Sequence, residues 1–254
     1  MPAALFKHHD LSDRRRLLVA GDVHGRFDLL SGRLDAFDFD PELDTLVLLG
    51  DLVDRGPFSR EALAWCEMPG VLRVLGNHEQ LLHRAVVGTR SDQSLHSQNG
   101  GAWFEAVVDT AERQRWSEVL MNCPVAIEAV TPGGRRVGFV HADVPTPTWQ
   151  ALAPALATSR RMFDTHDLED RSSIAWRCIW DRDRIERVRR ATLFPHLVDG
   201  ADIKVAGIDH VFFGHTIVAE PLTSGNCSWI DTGAFRSNLV TVIDVDSWMD
   251  ALSA

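Results

Sequence analysis

Short apolar runs recur along the chain and stop abruptly at turns rich in Gly, Asp, His and Asn. Leu17-Leu18-Val19-Ala20 ends in Gly21-Asp22-Val23-His24-Gly25, and Phe27, Leu30, Leu34 and Phe37 follow at helical spacing. Leu46-Val47-Leu48-Leu49 ends in Gly50-Asp51-Leu52-Val53-Asp54-Arg55-Gly56, with a helix through Arg60 to Cys66 after Pro57. Val71 to Leu75 ends in Gly76-Asn77-His78-Glu79, and Leu81, Leu82, Ala85 and Val86 mark a third helix. Runs of this length bounded by Gly suit strands buried on both faces, and strand-turn-helix repeats predict a parallel sheet with every turn on one edge. Open α/β sheets hold ligands at that edge.

The remainder of the chain is less regular. Gly88 to Asn122 starts polar, then reads as helical from Ala102 and again from Glu112, with Trp103, Phe104 and Trp116 as anchors and Asn99-Gly100-Gly101 as a turn. It is expected to form a helical cap. Val125–Val130 and Arg136–Val140 read as two strands joined by Thr131-Pro132-Gly133-Gly134, the second delivering His141. The stretch 142–206 carries Arg160-Arg161 and a charge run from Arg182 to Arg190, whose arginines mostly suit a solvated helix face. His210–Phe213 leads into Gly214-His215-Thr216, Cys227–Ile230 leads into Asp231, and Leu239–Val245 is expected to close a second sheet. The fold class predicted is α/β: two mixed sheets face to face, flanked by helices, in a single domain over 1–254 with a core of about 17–245 and cap segments at 88–122 and 142–206.

Composition narrows the partners. At 254 residues, 45% hydrophobic and 24% charged, the chain has the balance of a soluble globular protein with a substantial core. A formal charge of −10 argues against nucleic acid as a partner. Cys66, Cys123, Cys178 and Cys227 form no Cys-x-x-Cys pair and are expected as reduced core thiols. No secretory signal and no apolar stretch of about 20 residues is evident, so the expectation is a cytoplasmic protein without a membrane partner.

The turns carry chemistry that composition hides. Asp22, His24, Asp51, Asn77, His141 and His215 all fall at strand ends. Turns favour Asp and Asn for structural reasons, but not His or Arg. Carboxylate, amide and imidazole without thiolate suit Mn²⁺, Fe or Zn²⁺ and disfavour Ca²⁺. Asp22 and His24, two apart in a turn expected to be extended, would emerge on one side. Asp51 could bridge two ions about 3.5–4 Å apart that share a hydroxide, making water the nucleophile. Such ions leave the site net positive despite the acidic chain. Arg55 offers a planar fork for phosphate oxygens. His78 stands where it could protonate a leaving oxygen, with Asp54 as its partner.

The ordered strings Gly-Asp-x-His-Gly, Gly-Asp-x-x-Asp-Arg-Gly, Gly-Asn-His-Glu, His and Gly-His resemble the phosphoprotein phosphatase branch of the calcineurin-like metallophosphoesterases. Gln98–Phe104, His141–Pro145, Ile179–Ile185 and Ile230–Ala234 narrow the resemblance to the small bacteriophage-lambda-type protein phosphatases, over about Leu17 to Val245. The resemblance implies a four-layer metallophosphatase sandwich. It implies one metal held by Asp22, His24 and Asp51, and a second by Asp51, Asn77, His141 and His215. Arg55, Arg182 and Asn77 would bind the substrate phosphate, and His78 with Asp54 would form the acid pair. Two divalent ions, Mn²⁺ first, and a phosphoprotein or small phosphoester substrate follow from it. Phe58 departs from the resemblance, replacing a polar residue expected at the pocket rim.

Phosphoserine and phosphothreonine are the expected targets, with phosphotyrosine open. The competing reading on the same fold is hydrolysis of symmetrical dinucleoside tetraphosphates; a non-catalytic metal protein is a remote one. Cys178 and Arg184 formally satisfy Cys-x5-Arg, but Asp181 and Asp183 between them would repel phosphate.

Overall fold

The computed structural model describes residues 4–158, 172–193 and 203–254; Arg160-Arg161 lie outside them. The expected repeats are present: β2 (Arg16–Ala20) and α1 (Phe27–Ala36), β3 (Asp44–Leu48) and α2 (Ala62–Cys66), β4 (Val71–Arg73) and α3 (Asn77–Val87). β2, β3 and β4 pair in parallel, Leu18 opposite Leu46 and Leu46 opposite Val71. β1 (Phe6–Asp10), β5 (Ala126–Val130), β6 (Arg136–Val140), β7 (His210–Phe213), β8 (Leu222–Ser224) and β9 (Cys227–Trp229) form a second, six-stranded sheet in the order β1-β5-β6-β7-β9-β8. Both sheets are mixed.

Side-chain alternation explains the layering. Leu17, Val19, Val47 and Leu49 face Ile127, Ala129, Val137, Phe139 and Phe212 between the sheets. Leu18, Ala20, Leu46 and Leu48 point outward onto Phe27, Leu30, Trp65 and Leu82 of α1, α2 and α3. The outer face of the larger sheet, Val211, Phe213 and Trp229, packs on α6 (Leu152–Thr158), α7 (Ile174–Trp180) and α8 (Asp183–Leu193). Strands covered on both faces need no polar alternation, which is why their sequences read as unbroken apolar runs. Truncating one such residue, Leu46→Ala for example, costs about 2–5 kcal/mol.

Four sequence expectations need correction. β10 (Val242–Asp244) does not join the second sheet; it pairs antiparallel with β2, Val242 opposite Ala20, and completes the first as β10-β2-β3-β4. A three-residue edge strand carries no local signal of its partner. β1 was unread because His8 and His9 break its apolar pattern, yet it pairs in parallel with β5. The polar start of the cap segment is itself helical, α4 (Arg90–His96), capped by Thr89 and Asp92, ahead of α5 (Thr110–Met121). Finally, the short α9 (Ala234–Ser237) is followed by a C-terminal helix α10 (Val245–Ser253) that sends Val245 and Met249 into the inter-sheet core.

Candidate metal centre and active site

The carboxyl ends of β2, β3, β4, β6 and β7 deliver Asp22, Asp51, Asn77, His141 and His215 to one place. Two contacts pull the sheets together there: His141 Nδ1 donates to Leu49 O across the sandwich at 2.6 Å, and His215 N–H donates to Asp22 Oδ1 at 3.0 Å. The turns are not extended as expected. Of the seven non-glycine residues with positive φ among the described residues, five are His24, Asp51, Asp54, Arg55 and His215. A left-handed residue with a Cβ costs about 1–2 kcal/mol, so the fold stores strain where these side chains must converge. Gly50, at φ +92°, is obligatory: a Cβ there would lie 2.7 Å from the backbone of Gly76 and 2.9 Å from His141 Nδ1.

The tautomers of three histidines are set by backbone carbonyls. A carbonyl cannot donate, so His24 Nδ1 gives its proton to Val53 O at 2.9 Å, His141 Nδ1 to Leu49 O, and His215 Nε2 to Trp180 O at 3.1 Å. Burial lowers the pKa of all three, that of His24 to about 3, so each presents a lone pair from its other nitrogen. The lone pairs of His141 and His215 face oxygens, while that of His24 accepts from Arg55 Nη1 at 2.7 Å. His141 Nε2 lies 3.0 Å from Asn77 Oδ1 and 3.4 Å from Asp51 Oδ1, and His215 Nδ1 lies 2.9 Å from the same Asn77 oxygen. His24 Nε2 lies 3.5 Å from Asp51 Oδ2 and 3.9 Å from Asp22 Oδ2.

Acceptors facing acceptors in a buried site repel unless a cation lies between them, so the donor set fits divalent metal ions. Two groups of ligating atoms, His24 with Asp51 and His78, and Asp51 with His141 and His215, each lie mutually within 4.8 Å. Asp51 belongs to both. The first group contains His78 where sequence placed Asp22, although Asp22 lies at its margin. Burial alone would raise the Asp51 carboxyl, but His141, His78 and His24 around it hold it far below the usual carboxylate range. Asp22 goes the other way, raised by burial and by the neighbouring charges of Asp231 and Asp51.

The expected acid pair is in contact. His78 Nδ1 lies 2.7 Å from Asp54 Oδ2. Burial disfavours the charged imidazole, but Asp51 and the Asp54 hydrogen bond outweigh it and raise the His78 pKa. Its Nε2 is buried with no partner, a donor aimed at the space 3.9 Å from Asp51 Oδ2. Arg55 Nη1 lies 2.7 Å from His24 Nε2, and its Cζ sits 4.7 Å over the Phe235 ring. Arg182, just before α8, lines with Arg55 and His215 an open cavity of about 570 Å³. Phe58 is exposed and does not line that cavity, so the rim expected of it lies elsewhere.

Sequence reasoning passed over several neighbours. Glu79 accepts from three backbone N–H groups, Leu52 at 2.7 Å, Asp51 at 2.8 Å and Gly76 at 2.9 Å, and so fixes the turn that carries Asp51. Burial and the Asp51 charge push its pKa to about 7. It was visible only as the last residue of Gly-Asn-His-Glu. His96 Nε2 and Trp103 Nε1 donate to Asp54 at 3.0 and 2.8 Å, and with His78 they surround its carboxylate. Burial opposes ionisation of Asp54, yet the His78 and His96 hydrogen bonds hold it at about 2. Nothing in the local pattern pointed to His96. Cys178 is wholly buried, with its thiol pushed well above its ordinary pKa by burial, and Arg184 is engaged with Asp143 at 3.0 Å. No cysteine-nucleophile site exists there.

The calcineurin-like phosphoesterase profile matches residues 15–219. The chain belongs to the calcineurin-like phosphoesterases. This metallophosphoesterase is 31% identical over 245 residues to "Serine/threonine-protein phosphatase 1" of Salmonella typhimurium, covering 95% of this chain and 97% of that one. It is 37% identical over 139 residues to "Bis(5'-nucleosyl)-tetraphosphatase, symmetrical" of Paracidovorax citrulli, covering 54% of this chain and 47% of the relative. Its fold is also that of the cold-active protein-tyrosine phosphatase of a psychrophilic Shewanella species, with a TM-score of 0.61 at 16% identity over 96% of this chain and 78% of the other. The four-layer sandwich expected from the sequence is the family's fold. No helix among the described residues is long and apolar enough to cross a membrane.

Proposed function

We propose that this phosphoesterase hydrolyses phosphomonoesters on proteins, phosphoserine and phosphothreonine foremost, with two divalent ions. The observation that carries the reading is the convergence of histidine lone pairs and carboxylates on two points that share Asp51, beneath a cavity lined by Arg55 and Arg182. Asp22, His24 and Asp51 would hold one ion; Asp51, Asn77, His141 and His215 would hold the other. Mn²⁺ suits this oxygen and nitrogen set best, with Fe and Zn²⁺ next. Bound ions supply Lewis acidity and make water nucleophilic at neutral pH.

The chain's own groups do the rest. Arg55 and Arg182 orient the phosphoryl oxygens, with the Asn77 amide beside them, and bring phosphorus in line for attack. His78 gives its Nε2 proton to the leaving oxygen, and Asp54 keeps that ring charged and aimed. The whole chain acts as one domain, with 88–122 supplying Gln98, Asn99 and Gly100 to the cavity wall and 142–206 supplying Arg182. Four free cysteines support a reducing, cytoplasmic compartment.

Full-length coverage by a protein phosphatase, against half coverage by tetraphosphatases, favours the phosphoprotein reading. With added Mn²⁺, kcat/KM on a phosphoserine peptide is expected to exceed that on a symmetrical dinucleoside tetraphosphate at least tenfold. The reverse order would transfer the assignment to the nucleotide.

A further inference from the structure

The mouth of the catalytic cavity holds more positive charge than one phosphate group uses. Arg55, Arg182, Arg189 and Arg236 line it together with Asn99, Phe235 and others, and no carboxylate does, in a chain with 36 acidic and 26 basic residues. Arg55, Arg182 and Arg236 form no ion pair among the described residues. Arg189 shares one, with the exposed Glu186 at 2.8 Å, and its other nitrogen lies 3.3 Å from Ile217 O. Guanidinium groups gathered around one cavity repel each other, and an arrangement of that kind is stabilised when anions enter.

All four arginines are exposed, but two of them share one aromatic anchor. The Phe235 ring carries Arg55 Cζ at 4.7 Å and Arg236 Cζ at 5.0 Å, and is itself held by an edge contact with His24 at 5.3 Å. Cation–π contact with one shared ring fixes Arg236 beside the arginine that faces the metal ligands. Arg182, the residue before α8, and Arg189 within it are seven residues apart, about two helical turns, which puts them on one side of the helix about 10 Å apart. An extended peptide advances about 3.4 Å per residue, so about three residues span the roughly 10 Å from Arg182 to Arg189, and Arg236 lines the same cavity beside Arg55.

We propose that Arg236 and Arg189 form a second anion subsite, which takes a phosphate or carboxylate flanking the scissile phosphoester. The inference rests on the phosphoesterase reading above and names its preferred substrates: phosphoproteins in which the target residue has an anionic neighbour, a second phosphoresidue foremost.

The test is a ratio. With Mn²⁺, kcat/KM is measured on a peptide with one phosphoserine and on the same peptide with a second phosphoserine one to three residues away, for the wild type and for Arg189→Gln/Arg236→Gln. The wild type is expected to favour the doubly phosphorylated peptide about 10- to 100-fold, since charge-assisted hydrogen bonds are the strong ones. The double variant is expected to bring that ratio within about threefold of unity. Because both peptides meet the same preparation, partial misfolding or metal loss cancels. A wild-type ratio near one, or a ratio unchanged in the variant, overturns the subsite while p-nitrophenyl phosphate turnover still upholds the phosphoesterase. Absence of that turnover with Mn²⁺ would remove both. A dinucleoside tetraphosphate run in parallel identifies the source of the second anion: a selective loss there, larger than on the peptide, places a nucleotide phosphate chain in the same subsite.

Discussion

Strand β3 begins with one buried aspartate, Asp44, and the turn that follows it carries another, Asp51; the two are opposites. Asp44 is enclosed by the protein's own cations: Arg15 Nε at 2.8 Å, Arg16 Nη2 at 2.9 Å and Asp40 N–H at 3.1 Å. Burial is opposed there by hydrogen bonds from Arg15 and Arg16, and the carboxyl lies far below its usual range. Asp51, in the turn past the strand's other end, meets one backbone donor, His78 N–H at 2.9 Å, while the nearest imidazole nitrogens, of His141, His24 and His78, stand 3.4, 3.5 and 3.9 Å away. Asp44 is hydrogen-bonded directly by its countercharges, whereas no cationic side chain comes within hydrogen-bond distance of Asp51 among the described residues. Two buried aspartates at either end of one strand and its turn therefore differ in what surrounds them.

That contrast can be broken most sharply at Asp51. Asp51→Asn is expected to lower kcat/KM on p-nitrophenyl phosphate by about 10³-fold or more, since it removes the charge shared by both ion sites. Activity within tenfold of wild type would end the bridging role.

Ion binding gives the next effect in size. Mn²⁺ at about 100 times its dissociation constant should stabilise the protein by about 2.7 kcal/mol, raising the thermal midpoint by about 5–10 °C for a domain of this length. Chelator should reverse the shift, and Asp51→Asn should abolish it. An equal shift in that variant would place the ions elsewhere.

Asp44→Asn is expected to have the smallest effect, and on stability alone. It should cost about 1–3 kcal/mol in urea unfolding, the low end for a buried pair because Arg15 and Arg16 are partly exposed, with kcat within about twofold of wild type. The pH sign is definite. The folded pKa of Asp44 is depressed, so its contribution is present above the unfolded value of about 4 and lost as pH falls toward the folded one. The gap between wild type and Asp44→Asn should therefore close in acid; a gap independent of pH would show that the ion pairs are not its cause.

How far the sequence could be read follows the range of the interaction concerned. Parallel strands β2, β3 and β4 were legible because both faces are buried and their residues are apolar throughout. The ligand candidates were legible because histidine at strand ends has no turn-forming reason to be there. β10 was assigned to the wrong sheet and β1 was unread, since pairing across more than a hundred residues leaves no trace in a short strand. Glu79 was visible as a letter and not as a role: its three backbone partners exist only once β3 and α3 are side by side.

By itself, the sequence determined the alternating layers, the order of the turns and the residue types at the carboxyl edge. These depend on local period and on the burial of neighbouring side chains. Only the tertiary structure decided which nitrogen of each histidine faces the centre, because that choice lies with the carbonyls of Val53, Leu49 and Trp180. It also decided that Asp54 is held by His96 and Trp103 as well as His78, and that Phe235 sets Arg236 beside Arg55. Hydrogen bonds and ring contacts act over a few ångströms, and residues far apart in the chain come within that range only after the sheets have closed on each other.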